Sequence, residues 1–165
     1  MEKIINKILS WYSGKNAKNY EKDRKNDKWN FEQRFVEEFI ENNLNISSII
    51  DSPIGTNRFG KIIDKCSHIK SLIGIDYSSD MLNFAKSKKT GKLILNKIDI
   101  INNKCHFNAD LILIIRMLNL FETKISLQIL DNLLPAASKY CIATLRYDDS
   151  YSIIENKIHI HPLNE

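Results

Sequence analysis

The sequence predicts an α/β protein with a doubly wound, mostly parallel sheet of five or six strands. Its 165 residues are 43% hydrophobic and 27% charged, which is the size and balance of one globular domain. From about residue 48 onward, short apolar runs alternate with helical segments, as in parallel strands joined by helical crossovers. The run LILII at 111–115 is apolar throughout, as expected for a central strand that is covered on both faces.

Two helical stripes precede this alternation. Apolar residues repeat at helical spacing over Glu2–Tyr12 and again over Phe31–Leu44. The first 29 residues hold 8 basic and 4 acidic side chains, whereas the remainder holds 16 of each. The net charge of +4 therefore belongs to this first segment. We predict a basic helical arm or lid at 1–29 and a single domain at 30–165.

Local signals delimit the elements of that domain in order. Asp51 ends the first apolar run, and Ser78 or Ser79 can accept the free amides at the start of a helix. Pro135 ends the last helix because it lacks the amide that a helix needs. The predicted strands are Ser48–Asp51, Ser71–Asp76, Lys92–Asp99, Asp110–Met117 and Lys139–Tyr147, with room for a sixth at Lys157–His161. The predicted helices are Arg58–Cys66, a segment from Ser78 or Ser79 to about Lys89, and Thr123–Leu134.

Polar residues at the strand ends are the candidate site. A parallel sheet binds its ligand beyond the carboxyl ends of the strands, which here carry Asp51, Asp76, Asp99 and Arg116. In IIDSPIGTNRFG, Gly55 lets a ligand approach the backbone, and the amides of the next helix point toward it. The carboxylate of Asp76 suits the two hydroxyls of a ribose, and that of Asp99 the amine of an adenine. Taken alone, the first segment also fits an ordinary strand–helix turn, Asp76 a helix-capping aspartate, and Asp99 a surface turn.

Taken together, four segments resemble motifs I to IV of the class I S-adenosylmethionine-dependent methyltransferases: DSPIGTNRFG, GIDYSSDML, KIDI and ADLILIIRMLN. The resemblance covers about 19–147 and implies a Rossmann-like fold with S-adenosylmethionine as cofactor. The cofactor-binding residues that it implies are Tyr20, Arg24, Asp51, Pro53, Gly55, Thr56, Asp76, Tyr77, Met81, Asp99, Ile100 and Arg116.

The same resemblance implies a role for each group. The residues of the first motif would border the methionine part of the cofactor, and Asp76 would hold its ribose. Tyr77, Met81, Asp99 and Ile100 would surround the adenine.

Two further elements would complete the site. Tyr20 and Arg24, in NYEKDR, resemble a YDxxR-like element that folds over the cofactor. Arg116 and Asn119 are the candidates for orienting the methyl acceptor. No catalytic residue is predicted, because the donor is already activated and positioning supplies much of the rate.

The sequence departs from the family pattern at two places. Asn57 stands where the first motif usually has glycine, and asparagine is the next most tolerant of positive φ. Only 18 residues follow Tyr147. The predicted sheet is therefore short of the usual C-terminal hairpin.

Methyl transfer to an unidentified, small-molecule acceptor is the leading functional hypothesis. One alternative is a non-catalytic module that binds S-adenosylmethionine or a protein partner. A second is an NAD-dependent oxidoreductase, although the fingerprint GxGxxG has a glycine only at Gly55. The phosphate-binding pattern GxxxxGK[ST] is absent from the sequence.

The remaining expectations concern partners, metals and location. His159 and His161 would share one face of a strand, but no third ligand is evident and no metal is predicted. Nucleic acid is a less favoured partner of the basic arm. The apolar tail after Asp149 is expected to dock against the fifth strand, within the chain or in a homodimer. No run is long enough to span a membrane and no secretory pattern opens the chain, so we expect a cytoplasmic protein.

Overall fold

A computed structural model describes residues 30–88 and 90–145, together with 7, 8, 10, 12–14 and 19. Tyr20 and Arg24, the expected sixth strand and the histidine pair at 159 and 161 lie outside the described residues. Among the helices of the described ranges, none has the length and apolarity that crossing a bilayer requires.

The described domain alternates strands and helices in the predicted order. Its helices are α1 (Asn30–Asn42), α2 (Gly60–Lys65), α3 (Ser79–Ser87) and α4 (Thr123–Leu133). Its strands are β1 (Ser48–Asp51), β2 (Ser71–Asp76), β3 (Leu93–Lys97), β4 (Ala109–Ile114) and β5 (Ala137–Ala143). Two short 3₁₀ turns, Leu118–Leu120 and Leu134–Ala136, flank α4.

All five strands run parallel in the order β3-β2-β1-β4-β5. The chain first builds outward from β1 to β3, and then returns to the other side of β1 with β4. The order of the strands therefore reverses between β1 and β4, where a parallel sheet opens a crevice at its carboxyl edge. The predicted fold class, a doubly wound parallel sheet, is confirmed.

Period-two alternation in the central strands fills both faces of the sheet. Ile49, Leu111 and Leu113 belong to a buried cluster with Val36 and Ile63 from α1 and α2. Their neighbours along the strands point the other way, because successive side chains alternate across a sheet. Those neighbours pack in a second cluster, together with α4: Ile50, Ile112, Ile114, Ile125 and Ile129.

Several element boundaries differ from the predicted ones: β3 is Leu93–Lys97 rather than Lys92–Asp99, and β5 is Ala137–Ala143 rather than Lys139–Tyr147. Two of the differing boundaries lie next to a residue with positive φ. β4 ends at Ile114 rather than Met117, because Arg116 adopts a φ of 61° and leaves the extended conformation. α2 begins at Gly60 rather than Arg58, since Asn57 has a φ of 56°. These turns break the regular backbone at the carboxyl edge, where the candidate site residues lie.

Candidate active site

A cavity of about 320 Å³ opens at the carboxyl edge of the sheet. Its wall follows the strand order, with residues that come after β3, β2, β1 and β4. Of the predicted cofactor-binding residues in the described ranges, all line it: Asp51, Pro53, Gly55, Thr56, Asp76, Tyr77, Met81, Asp99, Ile100 and Arg116. The volume falls within the range of roughly 300–1,000 Å³ that is usual for small-ligand sites.

The carboxylate of Asp76 joins three elements at the floor of this cavity. Its Oδ2 accepts a hydrogen bond from the amide of Gly55 at 2.9 Å, and its Oδ1 one from the amide of Ser78 at 2.8 Å. Ser78 in turn caps α3, because its Oγ accepts the amide of Met81. Burial raises the pKa of Asp76, and the backbone amides of Ser78 and Gly55 oppose that rise.

The turn after β1 depends on a glycine for its backbone conformation. Gly55 has a φ of 54°, and a Cβ built there would meet no atom within 4 Å. Glycine is therefore required here for its positive φ, and not because a side chain would clash with a neighbour. The Ile54 amide donates to the carbonyl of Ile75 at 2.9 Å, so two successive amides, those of Ile54 and Gly55, fasten the turn to β2.

Asp51 is a buried acid at the end of β1, only 2% exposed. Its burial raises its pKa to about 7, and the nearby carboxylate of Asp76 adds to this rise while Arg58 opposes it. A cationic ligand in the cavity would favour the charged form of this carboxyl. The end of β1 therefore suits a ligand that carries a positive charge.

The β2–β3 side of the cavity combines apolar surface with one carboxylate. Met81 and Ile100 are buried, whereas Tyr77 is 42% exposed. Asp99 accepts the amide of Ile101 at 3.1 Å and the side-chain amide of Asn102 at 2.8 Å, so it also stabilises its own turn. Asp99 therefore acts as a turn residue that also lines the cavity, and its contact with a ligand stays a prediction.

On the β4 side, two arginines share one glutamate. Glu32 of α1 accepts a hydrogen bond from Nη2 of Arg58 at 2.7 Å. Nε of Arg116 donates to both carboxylate oxygens of Glu32, at 2.8 and 3.1 Å. The backbone amide of Arg116 donates to Oγ1 of Thr144 at 2.7 Å, which holds this residue in its left-handed conformation. Arg58 and Arg116 both line the cavity.

Asn57 turns its side chain away from the cavity. Its Nδ2 donates to Oγ1 of Thr90 at 2.7 Å, and Asn57 is not among the residues that line the cavity wall. The Asn57 carboxamide occupies the space beside Gly60, where a Cβ would overlap it. The replacement of the usual glycine is therefore accommodated behind the turn, and it leaves the ligand side open.

One predicted residue does not reach the cavity. Asn119 lies in the 3₁₀ turn after β4, and the wall passes through its neighbours Leu120 and Phe121 instead. Its Oδ1 is buried and has no hydrogen-bond partner among the described residues. In the described part of the chain, no group of three or more His, Cys, Asp or Glu side chains is arranged to hold a metal.

The sequence predicted an arm or lid at 1–29, but not the residues through which the first segment and α1 contact the site. The carbonyl of Tyr12 accepts a hydrogen bond from Oγ of Ser78 at 2.7 Å, and the amide of Gly14 binds Asp80 at 2.7 Å. Ile8 and Tyr12 also line the cavity. Glu32 was missed because it is one of several glutamates on α1, and nothing in the sequence distinguishes it from them.

Comparison with known proteins identifies the fold. No protein-family model matches the sequence, and no curated protein is similar enough to match it. Among solved structures, the chain is similar to DhpI in complex with S-adenosylmethionine (SAM) and HEP, with a TM-score of 0.69 and 10% identity. The similarity covers 89% of this chain and 67% of DhpI. The chain has the fold of the class I methyltransferases.

Two further methyltransferases show the same fold. The plantazolicin methyltransferase BpumL, solved with a desmethyl plantazolicin analogue and S-adenosylhomocysteine (SAH), has a TM-score of 0.61 and 25% identity. An O-methyltransferase family protein from Burkholderia thailandensis has a TM-score of 0.63 and 12% identity. The similarity covers 83% and 81% of this chain, but only 57% and 47% of theirs. The resemblance inferred from the sequence motifs is confirmed at the level of the methyltransferase fold.

The packing of Asn57 against Gly60 gives the first testable prediction. Gly60→Ala should lower the free energy of unfolding by about 1–3 kcal/mol, the usual cost of overpacking a filled site. In an Asn57→Gly background most of this cost should disappear, because the overlapping carboxamide is gone. Urea unfolding of the two single variants and the double variant measures the difference.

Gly91→Ala is the matched control, since a Cβ there meets no atom within 4 Å. Its free energy of unfolding should equal that of the wild type or be slightly higher. Asn57→Gly alone should leave the affinity for SAH unchanged. A tenfold loss of affinity in that variant would show that Asn57 contacts the ligand.

A pH dependence of stability follows from the raised pKa of Asp51. Between its ordinary pKa and about 7, the folded protein holds a proton that the unfolded chain releases. The free energy of unfolding should therefore fall with rising pH, by about 1.4 kcal/mol per unit in that window. Between pH 5 and pH 8, Asp51→Asn should remove about 3 kcal/mol of this fall, as measured by urea unfolding.

Asp131→Asn is the control, because Asp131 is exposed on α4 and does not line the cavity. Equal pH slopes for the wild type and Asp51→Asn would contradict the assignment of the titration to Asp51.

Proposed function

We propose that this protein transfers a methyl group from S-adenosylmethionine to a small-molecule or peptide acceptor. The observation that carries the proposal is the carboxylate of Asp76. It is fixed between the amides of Gly55 and Ser78, on the floor of a cavity that crosses the strand ends. The bound states of the solved neighbours support the choice of cofactor, because DhpI was solved with SAM and BpumL with SAH.

The described residues fit the adenosine and the cationic centre of this cofactor. Asp76 presents two carboxylate oxygens, oriented by backbone amides, to a ribose. Met81 and Ile100 supply buried apolar surface for the flat adenine ring, beside the exposed ring of Tyr77. At the end of β1, the acid Asp51 faces the part of the cavity that would hold the cationic centre.

When bound, S-adenosylmethionine supplies a methyl group that is already activated on a sulfonium. The chain has to hold the acceptor in line with that group and keep water away from it. Ile115, Met117 and Phe121 line the β4 side of the cavity with apolar surface. Arg116 lies among them and orients the acceptor.

The proposed acceptor class is supported by BpumL, a plantazolicin methyltransferase that was solved with a desmethyl plantazolicin analogue. We propose that residues 1–29 cover the cavity, since Ile8 and Tyr12 already line it. Dimerisation through the edge of β5 and a cytoplasmic location stay predictions.

Calorimetric titration with SAM, SAH and NAD separates the candidate functions. The proposal expects binding of the first two ligands and no heat with NAD. Binding of NAD alone would favour an oxidoreductase. Failure of all three ligands to bind would overturn the proposal.

The role of Asp76 gives a quantitative prediction. Asp76→Ala should weaken SAH binding by about 1.5–3 kcal/mol, the range for hydrogen bonds to a charged group. Asp131→Ala removes the same side chain from the exposed face of α4 and should leave affinity unchanged. An equal affinity for Asp76→Ala and Asp131→Ala would place the ribose elsewhere.

A further inference from the structure

Charge divides the wall of the cavity into two sides. The carboxylates Asp99, Asp76 and Asp51 follow β3, β2 and β1, whereas Arg116 follows β4. Because the strands are ordered β3-β2-β1-β4, the arginine lies across β1 from the side proposed for the nucleoside. A cofactor placed with its adenosine over β2 and β3 and its methionine part at the end of β1 leaves the β4 side, with Arg116, to the acceptor.

The arginine side is a built cluster with a net positive charge. Glu32 binds Arg58 and Arg116 together, so these three side chains carry a net charge of +1. Their side chains are only 12–21% exposed, which limits the screening of this charge by water. The two guanidinium groups come from separate loops, and Glu32 on α1 holds both in place.

The backbone conformation of Arg116 is fixed by contacts with the end of β5. A non-glycine residue at a φ of 61° is uncommon, and such conformations concentrate at functional sites. The hydroxyl of Thr144 after β5 binds the Arg116 amide at 2.7 Å, and the Thr144 amide binds the carbonyl of Ile114 at 3.1 Å. Arg58 is fixed in a second way, because its guanidinium lies 4.6 Å from the ring centroid of Phe59.

We propose that Arg58 and Arg116 bind an acidic group of the methyl acceptor, a carboxylate or a phosphate. This proposal rests on the methyltransferase function proposed above. Guanidinium groups match the planar geometry of oxyanions, and hydrogen bonds between two charged partners are stronger than neutral ones. Met117, Leu120 and Phe121 line the cavity on the same side. The acceptor is therefore an acid with an apolar or aromatic body.

Benzoate and benzamide test this proposal, because they share one shape and differ in charge. Each is titrated into the wild-type protein in the presence of saturating SAH, with binding followed by NMR. The proposal expects benzoate to bind at least tenfold more tightly than benzamide. Equal binding of the two probes, or no binding of benzoate, would overturn it.

Arg116→Gln should reduce the preference for benzoate to less than twofold, with SAH kept saturating for each variant. Arg58→Gln changes the other guanidinium and serves as the second variant if Arg116→Gln does not fold. Lys65→Gln removes one positive charge from the far end of α2 and should keep the full preference. A preference that survives in both arginine variants would overturn the proposal.

SAH affinity separates this inference from the proposed function. If the wild type binds SAH but shows no preference for benzoate, the acidic acceptor is wrong and the methyltransferase proposal stands. If Arg116→Gln weakens SAH tenfold but leaves 5′-methylthioadenosine unchanged, the arginine binds the amino-acid part of the cofactor. That result would overturn the assignment to the acceptor. If the wild type does not bind SAH, both proposals fall.

Discussion

The carboxylate of Asp76 is the constraint on which the rest of the site depends. It accepts amides from the turn after β1 and from the first residues after β2, so two separate strand ends are held at fixed spacing. Without that acceptor, two backbone amides at the edge of a buried sheet would lose their partner, at about 1–3 kcal/mol each. Asp76 also lines the cavity, so the residue that fixes the two strand ends borders the space for a ligand.

Burying a charged carboxylate is unfavourable, and neighbouring groups offset part of this desolvation at Asp76 and at Asp51. Burial raises the pKa of both Asp76 and Asp51, since each carboxylate has left water, and the nearby carboxylate of Asp76 adds to the rise at Asp51. Backbone amides offset part of this cost at Asp76, and Arg58 offsets part of it at Asp51. A cationic ligand would relieve the remainder, which links the stability of the fold to occupancy of the cavity.

The strands were predictable because their signals are local. The bounds of β1 and β2 follow from short apolar runs that end in aspartate, and the cap of α3 follows from a serine. The ends of β4 and the start of α2 were not, because the positive φ of Arg116 and Asn57 depends on partners far along the chain. The presence of asparagine at position 57 is compatible with a positive φ, but it does not predict which residue the side chain will contact.

The candidate site was predictable only in part, for the same reason. The strand-end residues reached the cavity, since parallel strands bring their carboxyl ends to one edge. Asn119 did not, because the turn after β4 rotates it away while Leu120 and Phe121 face inward. Glu32 is 26 residues from one arginine and 84 from the other, so its role arises only from the packing of α1 against the sheet.

A crystal structure of the protein with SAH tests the central claim most directly. The account predicts the ribose hydroxyls within hydrogen-bond distance of Asp76 and the adenine between Met81 and Ile100. The sulfur should lie near the end of β1, with open space beside Arg116. A nucleoside bound on the β4 side, or a ligand outside the cavity, would contradict it.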